Sequence, residues 1–542
     1  MKKYIATVLC VAFCLMSLGC QTENDSTPPT PAPSSQTSTY EGTHITLSDN
    51  GITVDGQSAS ADPAAAVYIA NDIIYYQAGN DHTYGEGDTN DAHSPQEAQA
   101  HTVVHITQAG QYVLSGTLSK GQIAIDLGDE AKNNPEAVVT LVLNGANITC
   151  SVAPAVIFYN VYECGNTDAD TATATVDTTT AGANLILAKG SENNIVGAYV
   201  AKIYKPESVE LNEDGTEVVE AKKLHKYDGA FYSKMSMNID GEGTLNIQAA
   251  NEGLGSELHL TINGGTINII SGNDGINTNE DYVSVTTING GNLNIWVNGA
   301  TGEGDGIDSN GWLVINDGAV IAQACGFSGD AGIDSDKGIH INGGTVFATG
   351  NMLDQISESQ QTFAVFQFSD TQRISKYAEE YRTFTLKDGN DHFVISSTVI
   401  NDFNCLVVST PALISGEYSF WQGDTQLSGA KTAGMGGGMG PGGMPPGGME
   451  FEGTPQPLNP DGSDFVIIPG TITNENGEPI TIDPDSIGDL PTIEATPIPD
   501  SGLEVIPFNP NGQHGSFGGS FAITVSTVFT IEQGCNYFVN VQ

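Results

Sequence analysis

Between Tyr227 and Asn351 short runs of alternating apolar and polar residues recur along the chain. In LHLTINGG, Leu258, Leu260 and Ile262 share one parity, and His259, Thr261 and Asn263 share the other. Alternation with a period of two is the signature of a strand buried on one face. The same register puts Leu313, Ile315, Ile339 and Ile341 on the inward side. Each unit opens with an acidic-Gly step, followed by a strand, a Gly-containing corner and a second strand. The corner advances from Thr244 to Thr266, Asn292, Ala319 and Thr345, in steps of 22, 26, 27 and 26 residues. A near-constant period in this range, with no helical spacing, predicts an all-β solenoid. The expected fold is a parallel β-helix with rungs roughly 4.8 Å apart. Asn263, Asn289, Asn316 and Asn342 then fall in one column, where stacked amides can bond from rung to rung.

The rest of the chain divides around this core. Residues 1–20 read as an export signal: Lys2 and Lys3 precede an apolar run ending in a lipobox-like LMSLGC, with Cys20 as the lipidated residue. Ser17 departs from the usual branched residue there, and an ordinary signal cut elsewhere is the alternative. Residues 21–44 form a linker, and 45–351 the β-helix, with regular rungs over 227–351 and a charged, protruding insertion over 201–226. Corners recur early, at Asn144-Gly145 and near Lys189-Gly190. After Asn351 the repeat stops. Residues 352–432 with 516–542 predict a small C-terminal β module that covers the open end of the solenoid. Residues 433–515 are a Gly/Met-rich and then Pro/acid-rich insertion, expected to be flexible. The predicted localisation is the outer surface of a bacterium, with the membrane met only through lipid and no stretch after the signal long enough to span it. A monomer is expected.

Composition narrows the partners. The chain has 17 Lys+Arg against 65 Asp+Glu, a net charge of -48. Such a protein does not hold nucleic acid by charge. Beyond the signal and Cys20, five cysteines remain: Cys150, Cys164, Cys325, Cys405 and Cys535. The number is odd and no CxxC occurs, so neither zinc nor a disulfide framework is signalled. Pairing of Cys150 with Cys164, or of Cys405 with Cys535, stays open. His101 and His105, four apart in a β-like run without HExxH, do not read as a metal pair.

The acids line up. One column reads Asp228, Glu252, Asp274, Asp305, Ala331; three residues on comes Phe231, Gly255, Asn277, Asp308, Asp334; two further comes Ser233, Glu257, Asn279, Asn310, Asp336. Two carboxylates about 5 Å apart repel by about 3 kcal/mol at an effective dielectric of 20. A hard cation with oxygen ligands relieves that, and calcium accepts carboxylates, amides and carbonyls in flexible geometry. The column offers neither sulfur nor imidazole, which argues against zinc or copper. The simpler alternative is a solvated acidic face whose Asp-Gly steps are turns.

The segments INGGTINI, GNDGINTNE, INGGNLNI, GDGIDSNG and INGGTV resemble bacterial carbohydrate-binding-domain-containing proteins. So do YVLSGTL, TLVLNGANIT, LVVSTPALISGEYSFWQG and the Gly-Met loop, and the resemblance covers most of 100–432. It implies a right-handed β-helix like that of pectate lyases, bound calcium, and affinity for polysaccharide, including cellulose and acidic pectic chains. Carried across, the metal positions are Asp274, Asp305, Asp308, Asp330, Asp334 and Asp336, with Asn277 and Asn310 beside them. Ala331 interrupts one column, and the rung from Asn273 carries amides, which implies a weaker first site.

Three functions are then compatible with the sequence. The first is a non-catalytic binding protein in which calcium bridges to uronate carboxylates and Trp296, Trp312 and Tyr282 stack on sugar rings; packing of these aromatics under a loop is the alternative. The second is a calcium-dependent polysaccharide lyase. Its base would have to be Lys337, since Arg373 and Arg382 lie outside the repeats, and neighbouring acids shift a lysine the wrong way. The third is a surface adhesin or spacer in which calcium serves stability alone. The first is the expected one.

Overall fold

The computed structural model describes residues 40–433 and 525–542, leaving aside 358, 379 and 380. The signal segment with Cys20, the linker up to residue 39, and most of the Gly/Met- and Pro-rich insertion (434–524) lie outside the described residues. The protein is mostly β and is dominated by large parallel sheets. No helix among the described residues is long and apolar enough to cross a membrane.

Three columns of parallel strands carry the chain. The first runs from Thr43–Leu47 through Gly110–Leu118, Val139–Cys150, Ala183–Leu187, Met237–Gly241, Leu260–Ile262, Val285–Ile288 and Trp312–Ile315 to Gly338–Ile341. The second starts on the far half of Val139–Cys150 and continues through Glu192–Gly197, Thr244–Ala249, Thr266–Ser271, Asn292–Val297, Ala319–Gln323 and Thr345–Gly350. The third contains Thr102–Ile106, Gly121–Asp126, Val156–Asn160, Gly229–Ser233, Glu252–Ser256, Ile276–Thr278 and Ile307–Ser309. The chain visits the third, first and second columns in turn and then repeats.

The inward parity is the one the alternation predicts. Leu260, Ile262, Leu313, Ile315, Ile339 and Ile341 are all fully buried. Each such side chain contributes about 1.5–3 kcal/mol by leaving water. The corner positions Thr244, Thr266, Asn292, Ala319 and Thr345 pair in sequence, each opening its strand. The glycine before a corner is obligatory: Gly291 has φ of 84°, and a Cβ there would lie 2.6 Å from Gly265 O.

Asparagines stack as expected, and more widely. Nδ2 of Asn289, Asn316 and Asn342 each donates 2.9 Å to Oδ1 of the asparagine one rung back, starting from Asn263. A second ladder in the other large column joins Asn147, Asn194, Asn246, Asn268 and Asn294 over 2.5–2.9 Å.

Four features differ from the sequence reading. The rung at 229–233 sits one residue off: Tyr232, not Phe231, pairs with Gly255, and Ser233 joins Ser256. Side-chain parity is the reason. Phe231 must continue the inward row Leu254, Ile276, Ile307, and a one-residue slip would turn it out. His259 and Thr261 share the outward parity yet are buried, because residues 161–182 strap over them. Thr178 Oγ1 bonds Thr261 Oγ1 and Asn238 Oδ1 at 2.7 Å, and Glu163 accepts from the Ser236 N–H and hydroxyl at 2.7 Å. Third, backbone stacking runs past Asn351: Ile356 bridges to Ile339, and Gln361 N–H donates to Ile341 O. Fourth, the charged insertion is two nested antiparallel pairs, Val200–Tyr204 with Lys223–Tyr227, and Glu210–Leu211 with Val218–Glu220.

Beyond it, Phe403–Ser409 pairs antiparallel with Thr345–Gly350 and with Phe363–Gln372. A five-stranded antiparallel sheet follows, around a phenylalanine-rich core that includes Phe366, Phe368, Phe384, Phe403, Phe420, Phe529 and Phe538.

Candidate functional site: a half-buried carboxylate column

The acidic residues reach their places through the glycines that follow them. A Cβ on Gly275 would lie 2.1 Å from Ile295 Cγ2 and 2.5 Å from Gly306 O; one on Gly306 would lie 2.3 Å from Gly332 O. Neither glycine has a left-handed φ, so these steps are close crossings and not turns. The chain passes tightly over an inward aliphatic side chain, and the acid just before the crossing is fixed at the start of the third column.

Register then stacks the acids. Leu254, Ile276 and Ile307 pair in turn, which aligns Glu252, Asp274 and Asp305 two residues earlier. Asp274 Oδ1 accepts from Asp305 N–H at 2.8 Å, and Asp305 Oδ1 accepts from Ala331 N–H at 2.6 Å. Asn277 is paired with Asp308. Its Nδ2 donates to Glu252 Oε1 at 3.0 Å and Asp274 Oδ2 at 3.1 Å. The bridge between Ile307 and Ile333 brings Asp334 beside Asp308. Asp330 Oδ2 accepts from Gly304 N–H at 2.6 Å and from the Ser328 hydroxyl. Asn310 Nδ2 reaches Asn279 O and Asp281 Oδ1, both at 3.1 Å. Asp336 is exposed at the margin. The metal candidates Asp274, Asn277, Asp305, Asp308 and Asp334 are thus brought together, with Asp330, Asn310 and Asp336 around them.

Burial and mutual repulsion both act on this group. Asp274 is pushed up to about 7, first by burial and then by Asp330 and Glu303. Asp334 is also pushed up to about 7, by burial and then by Asp354, Asp336, Asp274 and Asp330. Asp305 and Asp308 are driven well above the carboxylate range by burial and by the other acids. Lys337 opposes the rise at Asp336. Three oxygens are left without a hydrogen bond while buried: Asp334 Oδ1, Asn277 Oδ1 and Asn279 Oδ1. Such atoms cost about 1–3 kcal/mol each when nothing meets them.

Among the described residues no three His, Cys, Asp or Glu side chains converge into a ready-made metal cage. The donors are spread over successive rungs and mixed with amides. The orphaned oxygens and the lack of nitrogen or sulfur donors fit a hard cation of flexible coordination better than zinc or copper. Such a cation would supply positive charge and a point of attachment for an anionic group.

One acid was missed from the sequence. Asp354 Oδ2 accepts from Ser335 N–H at 3.1 Å, and Asp354 heads the charges acting on Asp334. It lies beyond the point where the repeat pattern fades, so parity gave no sign of it. Its signal was the Ile356 that follows two residues later.

The aromatic candidates separate. Lys337 Nζ stands 5.3 Å from the centroid of Tyr282 and 5.6 Å from that of Trp312. Tyr282 is 52% exposed, and its N–H donates to Asn310 O, so this aromatic pair borders the acids. Trp296 does not join them. It lies in the second column, half-buried, and its Nε1 donates 2.7 Å to Asn401 Oδ1 of the C-terminal module. Its indole N–H is thus engaged at that junction and not beside the acids. Arg373 pairs with Asp402, and Arg382 donates to Tyr377 O. The five described cysteines are free thiols.

Residues 100–365 match the family of carbohydrate-binding domain-containing proteins. A carbohydrate-binding domain-containing protein of Acetivibrio thermocellus is 29% identical over 167 residues, 31% of this chain and 44% of that protein. The match thus spans less than half of that relative's length. The solved structure of a polysaccharide lyase-like protein from C. thermocellum, a gadolinium derivative, aligns at 19% identity with a TM-score of 0.29, covering 55% of this chain and 91% of that one. The matched segment, 100–365, holds both the carboxylate column and its aromatic border.

Proposed function

We propose that this protein is a calcium-dependent, non-catalytic polysaccharide-binding protein built on a right-handed parallel β-helix. Right-handed crossover is the rule for parallel strands joined in this way. One observation carries the reading: aspartates on adjacent rungs are stacked in register, Asp274 buried and Asp305, Asp308 and Asp334 half-buried, and among them one carboxylate oxygen and two asparagine amide oxygens have no partner. Calcium held by Asp274, Asn277, Asp305, Asp308 and Asp334, with Asn310, Asp330 and Asp336 at the margin, removes the repulsion. It also gives a strongly acidic protein a way to hold the uronate carboxylates of pectic chains. Tyr282 and Trp312 offer ring faces beside it for pectic or cellulosic sugars. Through Cys20 the protein is tethered to the bacterial surface.

The lyase alternative draws no support from Lys337. Its amine lies over two aromatic rings, an arrangement suited to a cation and not to a proton acceptor. Affinity electrophoresis in gels of polygalacturonate or hydroxyethyl cellulose tests the reading. Retardation is expected in polygalacturonate with calcium and its loss with chelator. Free migration on both gels in calcium removes the proposal, and release of unsaturated product absorbing in the ultraviolet restores the lyase.

A further inference from the structure

The outer asparagine ladder stops one rung before the backbone does. Gln361 occupies the next place in the column: its N–H donates to Ile341 O at 3.0 Å, as Asn342 N–H donates to Ile315 O at 2.7 Å. Yet the Gln361 amide turns away, and its Nε2 donates to Gly344 O at 2.8 Å and Ser409 Oγ at 2.9 Å. Asn342 therefore ends a chain of three aligned amide–amide bonds. Aligned amides polarise one another, which makes the last carbonyl a better acceptor than a lone amide.

Asn342 opens on a cavity of about 430 Å³, with Gln360, Gln361, Gln533, Thr410 and Ser415 around it. That volume lies within the roughly 300–1,000 Å³ usual for small-ligand sites. Among the described residues no ionisable side chain lines it, in a chain of net charge -48. The walls are set in advance. The Tyr418 hydroxyl donates to Ile414 O at 2.7 Å and accepts from Ile414 N–H at 3.1 Å, so the loop presents Ile414 with 67% of its surface exposed. Opposite, buried Asn536 donates to Glu532 O at 2.7 Å and Gly534 O at 3.0 Å, which fixes the turn bearing Gln533.

We infer that this cavity is a second saccharide site, specific for an uncharged, hydroxyl-rich oligosaccharide and independent of any metal. Sugar hydroxyls donate to Asn342 Oδ1, glutamine amides serve the remaining oxygens, and Pro411 with Ile414 meets the C–H face of a ring. A uronate is disfavoured, because its carboxylate would enter a cavity with no cation to pair it. The site is separate from the carboxylate column, and its failure would leave calcium-dependent retardation in polygalacturonate untouched.

Calorimetric titration of the full chain in chelator, with cellotetraose, maltotetraose and trigalacturonate in turn, tests this. At least one neutral tetrasaccharide is expected to bind, trigalacturonate is not, and calcium leaves the neutral affinity unchanged. Asn342→Ala and Gln533→Ala are each expected to weaken binding about tenfold, one good hydrogen bond's worth. Ile414→Asp, a change at an exposed rim position that spares the core, is expected to weaken it as well. Binding by neither tetrasaccharide, a requirement for calcium, or equal affinity in all three folded variants overturns the assignment.

Discussion

Asp334→Asn should alter stability in opposite directions with and without calcium. In the metal-free protein the Asp334 carboxyl is pushed from 3.8 up to about 7 by burial and by Asp354, Asp336, Asp274 and Asp330. A carboxyl that holds its proton more tightly when folded favours the fold fully below its unfolded value near 4, and that contribution is lost as pH rises through about 7. At about 1.4 kcal/mol per pH unit, the ionised group costs on the order of 4 kcal/mol at pH 8 and less than half of that at pH 5. Asparagine keeps the shape and removes the charge. Urea unfolding in chelator at pH 8 should therefore find the variant more stable than the native protein by up to about 4 kcal/mol, with the gap shrinking at pH 5. In calcium well above the roughly 10⁻⁴–10⁻³ M typical of extracellular sites, the order should reverse, because the variant has lost a charged ligand. A variant less stable than native in chelator at pH 8, or one stabilised by calcium as strongly as native, would show that these carboxylates are not held against one another for a cation.

Two further outcomes test the scaffold. Asn268→Ala removes two rung-to-rung bonds, of 2.8 and 2.9 Å, and leaves partners on Asn246 and Asn294. A loss of about 1–3 kcal/mol is expected by chemical denaturation, and no measurable change would make the inner ladder a by-product of register. Glu163→Ala frees the strap at Ser236 and Gly165. Limited proteolysis should then cut within 161–182 many times faster while the main unfolding transition stays in place, whereas unchanged protection would mean that the Thr178 contacts suffice.

The strands and their facing were readable because parity is local. Leu260 and Ile262 could be assigned inward from their neighbours alone, and the five corners paired as their spacing required. The slip at Phe231 and Tyr232 arose where two adjacent aromatics both suit the interior, and the inward rows through Leu254 and Ser256 decide between them. Contacts between distant segments were not legible. Nothing beside Trp296 in sequence announces Asn401, and nothing beside His259 announces the strap. The acids of the column were legible because they recur in step; Asp354 escaped because its rung has lost the glycines that marked the others.

A stack of like rungs carries no internal instruction to stop, since each exposed backbone edge is a template for the next. In the second column the template is used up by strands of opposite polarity: Phe403–Ser409 runs against Thr345–Gly350, and Phe363–Gln372 runs against it in turn. A second molecule arriving in the parallel sense meets an edge already satisfied in the antiparallel one. The second column is thereby ended by the polypeptide's own later strands, at the edge where parallel addition would otherwise extend it.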